Sequence, residues 1–246
     1  MSGIRLVTRA DDAGMNLTAN KATRASVRQG IVRNISLLAP GPQIEHAAET
    51  LLDLSSIANF GFHVCLTSEW ANLRWGPVAE PETVFSLLRE DGSFPADCDE
   101  LSLLKPNVDE MMAEVDAQFR RLNDLGFTIQ YLDAHMGVGS FPGFGEKLAA
   151  FADAHGLLYS DQLIKEGVFA EIPGWQGPAE HPGTELADHL STTEAGTYLL
   201  VGHPAFKTEE TERLRLPEGN RGEVLLPRNR QRRMFSDIEI VDYCEN

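Results

Sequence analysis

Two hydrophobic periodicities alternate along the chain. Short apolar runs, typical of buried strands, are separated by segments whose apolar residues recur every three or four positions, as in amphipathic helices. Asn16 is a typical N-cap residue and Gly30 is a typical residue at the end of a helix, so the two residues predict the ends of the first helix. The pattern predicts strands at 4–9, 31–38, 57–67, 127–135, around Leu157 and at 197–203, and helices at 17–29, 44–52, 108–125 and 146–154.

The order of these elements indicates the fold class. Strand, helix and strand in repeated succession, joined by short turns, predict a parallel sheet covered by helices. We expect an α/β fold of the (β/α) barrel-like kind, with parallel strands and outer helices, as a single domain over residues 1–246. An open doubly wound sheet is the second choice. Residues 68–106 are too long for an ordinary connection, which favours a functional loop or an excursion over the active face.

The charge and composition of the chain limit the classes of molecule that it is expected to bind. The chain has 21 Lys and Arg against 37 Asp and Glu, a formal net charge of −16, which disfavours nucleic acid and an anionic membrane surface. A small neutral or cationic substrate fits better, and a homo-oligomer stays open. The first residues do not resemble a signal peptide and no apolar stretch is long enough to span a bilayer, so we expect a cytoplasmic protein. Three cysteines without a CxxC pair argue against a disulfide framework and a zinc ribbon.

Ionisable residues stand at the ends of four predicted strands. Asp11 and Asp12 follow the first strand, His63 lies near the end of the third, and His135 and His203 each end a later one. An aspartate after a strand is often a turn or helix cap, and a lone histidine is often a hydrogen-bonded core residue. Because parallel strands of a barrel bring their C-terminal ends to one rim, we nevertheless expect these five residues to form one site.

One carboxylate and two imidazoles are a ligand set that leaves metal positions open for water and substrate. If Asp12 binds the cation, Asp11 can act as general base beside the bound water, and His203 can act as general acid from another strand. Asp12 would then bind the metal ion, and Asp11 would accept the proton. Non-haem iron enzymes use the same two-histidine, one-carboxylate set, and this alternative stays open.

Four stretches of the sequence resemble the motifs of the YdjC-like carbohydrate deacetylases: ADDAGM, GFHVCLTSEW followed by RWGP, YLDAH and LLVGHPAF. The resemblance implies a polysaccharide-deacetylase-like barrel and metal-dependent removal of an N-acetyl group from an amino sugar. It implies Asp11 as base and His203 as acid or transition-state stabiliser. It also implies Asp12, His63 and His135 as ligands of a divalent ion, Zn or Mg.

The chain departs from the family pattern in two places. Many members carry further histidines after the position of His135, where this chain has Gly137 and Gly139. The substrate pocket must therefore differ, and a sugar-binding relative without catalysis is an alternative. The final stretch, 236–246, is similar to a helix that precedes a last strand in relatives, so we expect a helix there and a chain that is short or truncated at this end.

Aromatic and basic residues after the third strand are candidates for substrate binding. Trp70 and Trp75 offer flat apolar surfaces for stacking on a sugar ring, and Arg74 offers hydrogen-bond donors for hydroxyl or anionic groups. An equally good alternative is that both tryptophans anchor the long loop to the barrel.

Overall fold

Eight parallel strands form one sheet in the part of the chain that the computed structural model describes, residues 3–175, 182–214, 225 and 235–245. The strands are β1 Ile4–Ala13, β2 Asn34–Leu37, β3 Asn59–Val64, β4 Ile129–Ala134, β5 Leu158–Tyr159, β6 Ala170–Glu171, β7 Gly196–Gly202 and β8 Glu239–Val241. The helices are α1 Leu17–Arg28, α2 Ile44–Leu51, α3 Cys98–Leu103, α4 Val108–Asp124, α5 Phe144–His155, α6 Ser160–Lys165, α7 Pro182–Ser191 and α8 Glu209–Leu214.

The strand order is that of a (β/α) barrel with one open seam. Neighbouring strands follow the path β5-β4-β3-β2-β1-β7-β6. Read around a circle, this is the chain order, with β1 next to β7 and, among the described residues, no pairing between β5 and β6. A doubly wound sheet reverses direction at a switch point instead. The barrel-like prediction is therefore confirmed, and the second choice is wrong.

Local sequence signals explain the helices that surround the sheet. The side chain of Asn16 accepts a hydrogen bond from the backbone N–H of Ala19 and caps α1. Along α4, the buried positions Met111, Val115 and Leu122 recur at helical spacing and face the sheet. Full burial of each such side chain contributes about 1.5–3 kcal/mol of transfer free energy. None of the described helices is long and apolar enough to cross a membrane.

The C-terminal stretch contradicts the sequence prediction of a helix. It forms β8, which pairs with the N-terminal half of β1, Arg5–Val7, and then a 3₁₀ turn at Tyr243–Glu245. Since β7 occupies the other edge of β1, β8 and β2 share one edge of that strand. The β-branched residues Ile238, Ile240 and Val241 favour this extended pairing over a helix.

The long segment 68–106 is fixed to the barrel by a buried carboxylate. Glu114 on α4 is fully buried and accepts hydrogen bonds from the backbone N–H groups of Val78 and Ala79, each at 2.9 Å. Burial raises the pKa of Glu114, although these two N–H groups oppose the shift. The segment also contains α3, so it is a partly ordered excursion with its own backbone partners.

Candidate metal centre and catalytic cavity

The C-terminal ends of the strands surround a cavity of about 290 Å³. All five residues predicted to converge on one rim line it, together with one of the predicted substrate contacts. Its walls are formed by Asp11, Asp12, His63, Glu69, Trp70, Ala134, His135, Met136 and His203. The geometric prediction from the parallel strand pattern therefore holds for residues from four separate strands.

A bulge at the end of β1 explains how two adjacent aspartates reach the same cavity. Successive side chains of a regular strand point to opposite faces. Here the pairing of β1 with β2 shifts register between Ala10 and Ala13, and Asp12 has a positive φ of 65°. The extra residue and the left-handed backbone turn the second carboxylate back toward the interior. Asp11 and Asp12 are 3 % and 4 % exposed and both line the cavity.

Three potential ligand atoms converge beside this bulge. Asp12 Oδ1 lies 3.5 Å from His63 Nε2 and 3.3 Å from His135 Nδ1, and the two nitrogens are 3.1 Å apart. Ligands that each lie about 2.1 Å from one ion are separated by roughly 3.0–3.5 Å. Asp12 Oδ1 is buried without a hydrogen-bond partner among the described residues. The spacing and the unsatisfied oxygen both fit a divalent cation.

A carboxylate on the neighbouring strand orients His63. In the β3–β4 ladder, His63 is directly paired with Asp133, and its Nδ1 is hydrogen-bonded to Asp133 Oδ1. Asp133 also accepts a hydrogen bond of 2.5 Å from the hydroxyl of Ser36. With Nδ1 occupied, Nε2 is the nitrogen that faces Asp12. A carboxylate–histidine pair of this kind fixes the tautomer and orientation of a metal ligand.

A second carboxylate supports His135, and sequence reasoning missed its role. Glu69 Oε2 lies 3.1 Å from His135 Nε2, while Nδ1 of the same ring faces Asp12. Glu69 follows β3 in the long segment and lines the cavity. Its place within the motif GFHVCLTSEW was the available signal, but no periodicity linked it to His135.

Burial and charge act in opposite directions on the pKa values of the three candidate ligand residues. Burial lowers the pKa of His63, but Asp133, Asp11 and Asp12 outweigh it and raise the pKa to about 10. Burial likewise lowers the pKa of His135, and contacts with Asp12 and Glu69 raise it to about 9. Burial raises the pKa of Asp12, but the two imidazoles bring it well below its usual range. The pocket thus holds excess negative charge that favours a cation, whether protons or a metal ion.

Asp11 lies beside this centre and is held by a buried cation. Both carboxylate oxygens accept from Arg9, with Nε to Oδ1 at 2.6 Å and Nη2 to Oδ2 at 2.8 Å. Asp11, His63 and Asp133 also have potential ligand atoms within 4.8 Å of one another. However, Arg9 forms ion pairs with both of these carboxylates and would repel a metal ion there. The geometry therefore favours the set Asp12, His63 and His135.

Two of the remaining predicted residues line the cavity and two do not. His203, which follows β7, lines the cavity, and the half-buried Trp70 lines it as well. Trp75 is only 4 % exposed and lies outside the cavity lining, with its ring centre 6.4 Å from that of His135. Arg74 is also outside the lining, and its Nη1 donates to the backbone oxygen of Ser68. Sugar binding by these residues stays a prediction.

Sequence comparison connects this arrangement to known proteins. The sequence model of the YdjC-like proteins matches residues 5–246. A carbohydrate deacetylase of Thermoanaerobacter pseudethanolicus is 26 % identical over 214 residues, covering 83 % of this chain and 82 % of the relative. A chitooligosaccharide deacetylase of Salmonella paratyphi C is 28 % identical over 221 residues, covering 82 % and 81 %. A carbohydrate deacetylase of Thermus thermophilus is 30 % identical over 174 residues, covering 62 % and 63 %.

A solved structure supports the fold independently. The crystal structure of an Enterococcus faecalis V583 protein, described as a candidate for cellobiose-phosphate cleavage, superposes with a TM-score of 0.78. The match covers 98 % of each chain at 19 % sequence identity, so it shows the shared barrel-like architecture. The match of the YdjC-like sequence model to residues 5–246 shows that the chain belongs to the YdjC-like family.

Proposed function

We propose that this protein is a metal-dependent carbohydrate deacetylase, a hydrolase that removes an N-acetyl group from an acetylated amino sugar or related glycoconjugate. The observation that carries the proposal is the convergence of Asp12, His63 and His135 beside Asp11 in one cavity. The activity of the named relatives supports the substrate class. The reaction adds water across the amide C–N bond and yields acetate and a free amine.

Asp12, His63 and His135 would hold a divalent ion, zinc or magnesium. When bound, such an ion acidifies water and polarises a carbonyl group. The protein holds the two imidazoles in place through Asp133 and Glu69, so little reorganisation is needed for the ligands to act. All three ligand residues are at most 5 % exposed at the side chain, which limits competition from bulk water.

Asp11 and His203 would perform the proton transfers. Asp11 lies next to the ligand set and accepts the proton of the attacking water at one of its carboxylate oxygens. His203 reaches the same cavity from β7 and donates a proton to the departing amine. Asp11 and His203 directly follow Ala10 and Gly202, which are paired in the adjacent strands β1 and β7, so both side chains can reach one acetamide in the cavity.

Trp70 is the proposed platform for the sugar. It lines the cavity next to Glu69 and is half-buried, so one part of the indole is available to the apolar face of a sugar ring. Trp75 and Arg74 would support the site without lining the cavity. Trp75 packs near His135, and Arg74 holds the backbone of Ser68 through a hydrogen bond. The cavity of about 290 Å³ is large enough for one sugar ring with its acetyl group.

The direct test is acetate release from a panel of N-acetylated mono- and oligosaccharides by protein loaded with zinc or magnesium. We expect turnover without oxygen, which would exclude the non-haem iron alternative. Asp11→Asn should lower kcat by about 10²–10⁴-fold while the metal remains bound. Unchanged turnover in Asp11→Asn would remove Asp11 from the base role. Tight sugar binding without acetate release would favour a binding protein.

A further inference from the structure

Arg9 is a buried cation inside the barrel, two residues before Asp11 on β1. The residue is 7 % exposed, and its guanidinium binds Asp11 through two nitrogens. The remaining nitrogen, Nη1, lies 3.2 Å from Asp133 Oδ2 and donates to the hydroxyls of Tyr243 at 3.0 Å and Ser160 at 3.3 Å. All five donor positions of an arginine have a fixed planar geometry, so these contacts restrict one another.

The two-point contact determines the direction of the Asp11 carboxylate. A fork-to-fork pair fixes both the position and the plane of a carboxylate, which a lysine cannot do with a single ammonium group. This matters at Asp11 because the bulge that follows it breaks the regular strand geometry. We propose that Arg9 is a positioning residue for the general base, which it aligns with the metal centre. The inference rests on the proposed function.

The C-terminal segment holds Arg9 from the opposite side. The ring of Tyr243 stacks on that of Tyr131 with centroids 4.2 Å apart, and its hydroxyl accepts from Arg9. The backbone N–H of Tyr243 donates to Asn34 Oδ1 on β2. Arg9 is thus held between Asp11 above it and the segment that follows β8, and the end of the chain contributes to the alignment of the base.

Arg9→Lys is the informative substitution because it keeps the positive charge between Asp11 and Asp133 but removes the fork. Arg24→Lys is the matched control: Arg24 on α1 also binds an aspartate, Asp53, through two nitrogens at 2.5 and 2.8 Å, but both side chains are partly exposed. We expect Arg9→Lys to lower kcat for acetate release by about 10- to 100-fold, with little change in KM. Arg24→Lys should behave like the wild type.

A double-mutant cycle distinguishes positioning of the base from general support of the fold. If Arg9 acts through Asp11, Arg9→Lys should have no further effect on kcat in an Asp11→Asn background, so the two losses are strongly non-additive. Metal affinity, measured by calorimetry with zinc or magnesium, should stay within about threefold of the wild type in Arg9→Lys. A structural role would give additive losses in kcat.

Three results would overturn the proposal: wild-type kcat in folded Arg9→Lys, additive losses in the cycle, or a loss of metal affinity that matches the loss of kcat. If Arg9→Lys does not fold, Tyr243→Phe tests the proposal instead. It keeps the ring stack and all charges but removes one acceptor of Arg9, and it should lower kcat about two- to fivefold only when Asp11 is present. An unaffected Tyr243→Phe would count against the proposal. A wild-type protein that releases no acetate from any substrate would instead refute the proposed function.

Discussion

His63 and His135 meet in the same centre, but different parts of the molecule hold them. His63 is supported by Asp133, its direct partner in the register of two adjacent strands. His135 is the first residue after β4, in a 3₁₀ turn, and is supported by Glu69 from the long segment. One candidate ligand is therefore supported by the sheet, and the other is supported by a loop.

The different supports of His63 and His135 indicate which contacts are coupled to the stability of the fold. Asp133 is fully enclosed in the barrel interior and also pairs with Arg9, so its loss disturbs a buried charge network. The Glu69 side chain is 17 % exposed at the cavity wall, where it contacts His135. We expect changes on the sheet side to affect both stability and metal binding, and changes on the loop side to affect metal binding more selectively.

The largest effect should come from the residue that both sides share. Asp12→Asn removes the charge that faces both imidazoles, while asparagine tolerates the positive φ of 65° at this position. We expect metal affinity, measured by calorimetry, to fall at least about 100-fold and acetate release to be lost. Asp153→Asn on α5, an exposed position, is the control. Intact metal stoichiometry in Asp12→Asn would remove this residue from the ligand set.

Asp133→Asn should have the next largest effect. It leaves Arg9 with one fewer counter-charge and weakens the hold on His63 Nδ1. We expect metal affinity to fall about 10- to 100-fold and the free energy of unfolding to fall by about 3 kcal/mol. Calorimetry and urea unfolding measure the two quantities. Loss of metal affinity with unchanged stability would contradict the assignment of His63 to the sheet side.

Glu69→Gln should have a smaller and more selective effect. Glutamine can still contact His135 Nε2 but carries no charge, so we expect about tenfold weaker metal binding. The free energy of unfolding should change by less than about 0.5 kcal/mol. Glu82→Gln, an exposed position in the same segment, is the matched control. Equal losses of affinity in the two variants would show that only long-range charge matters.

The smallest expected effect is a pH dependence of the metal-free protein. The pKa values of about 10 and 9 for His63 and His135 lie above the ordinary histidine value. Protonation therefore stabilises the folded state fully below about pH 6.5, and this stabilisation is lost as pH rises through about 9 to 10. Urea unfolding in a chelator should show the decline. Glu69→Gln should reduce the decline near pH 9, and a stability that rises over this range would contradict the sign.

Much of the fold was predictable because it depends on local periodicity. The apolar spacing of α4 and the Asn16 cap of α1 specify these helices without reference to distant residues. The strands β3 and β4 end near their predicted positions, whereas β1 continues past residue 9 to Ala13 and includes both aspartates. The three strand ends still bring Asp11, His63 and His135 to one rim. The prediction of a C-terminal helix was wrong because it was taken from a likeness to relatives, whereas the β-branched residues of this stretch favour pairing with the half-edge of β1 that β2 leaves free.

The sequence by itself determined the succession of strands and helices, the acidic character of the chain and the chemical types of the residues at the rim. Only the tertiary structure decided how these residues are supported. The bulge at Asp12 depends on strand pairing. Two other features join segments that are far apart in the chain: the contact of Glu69 with His135, and the contacts of Arg9 with Asp133 and Tyr243. Such contacts leave no period in the sequence, because they arise when the sheet curls and brings its inward-facing side chains together.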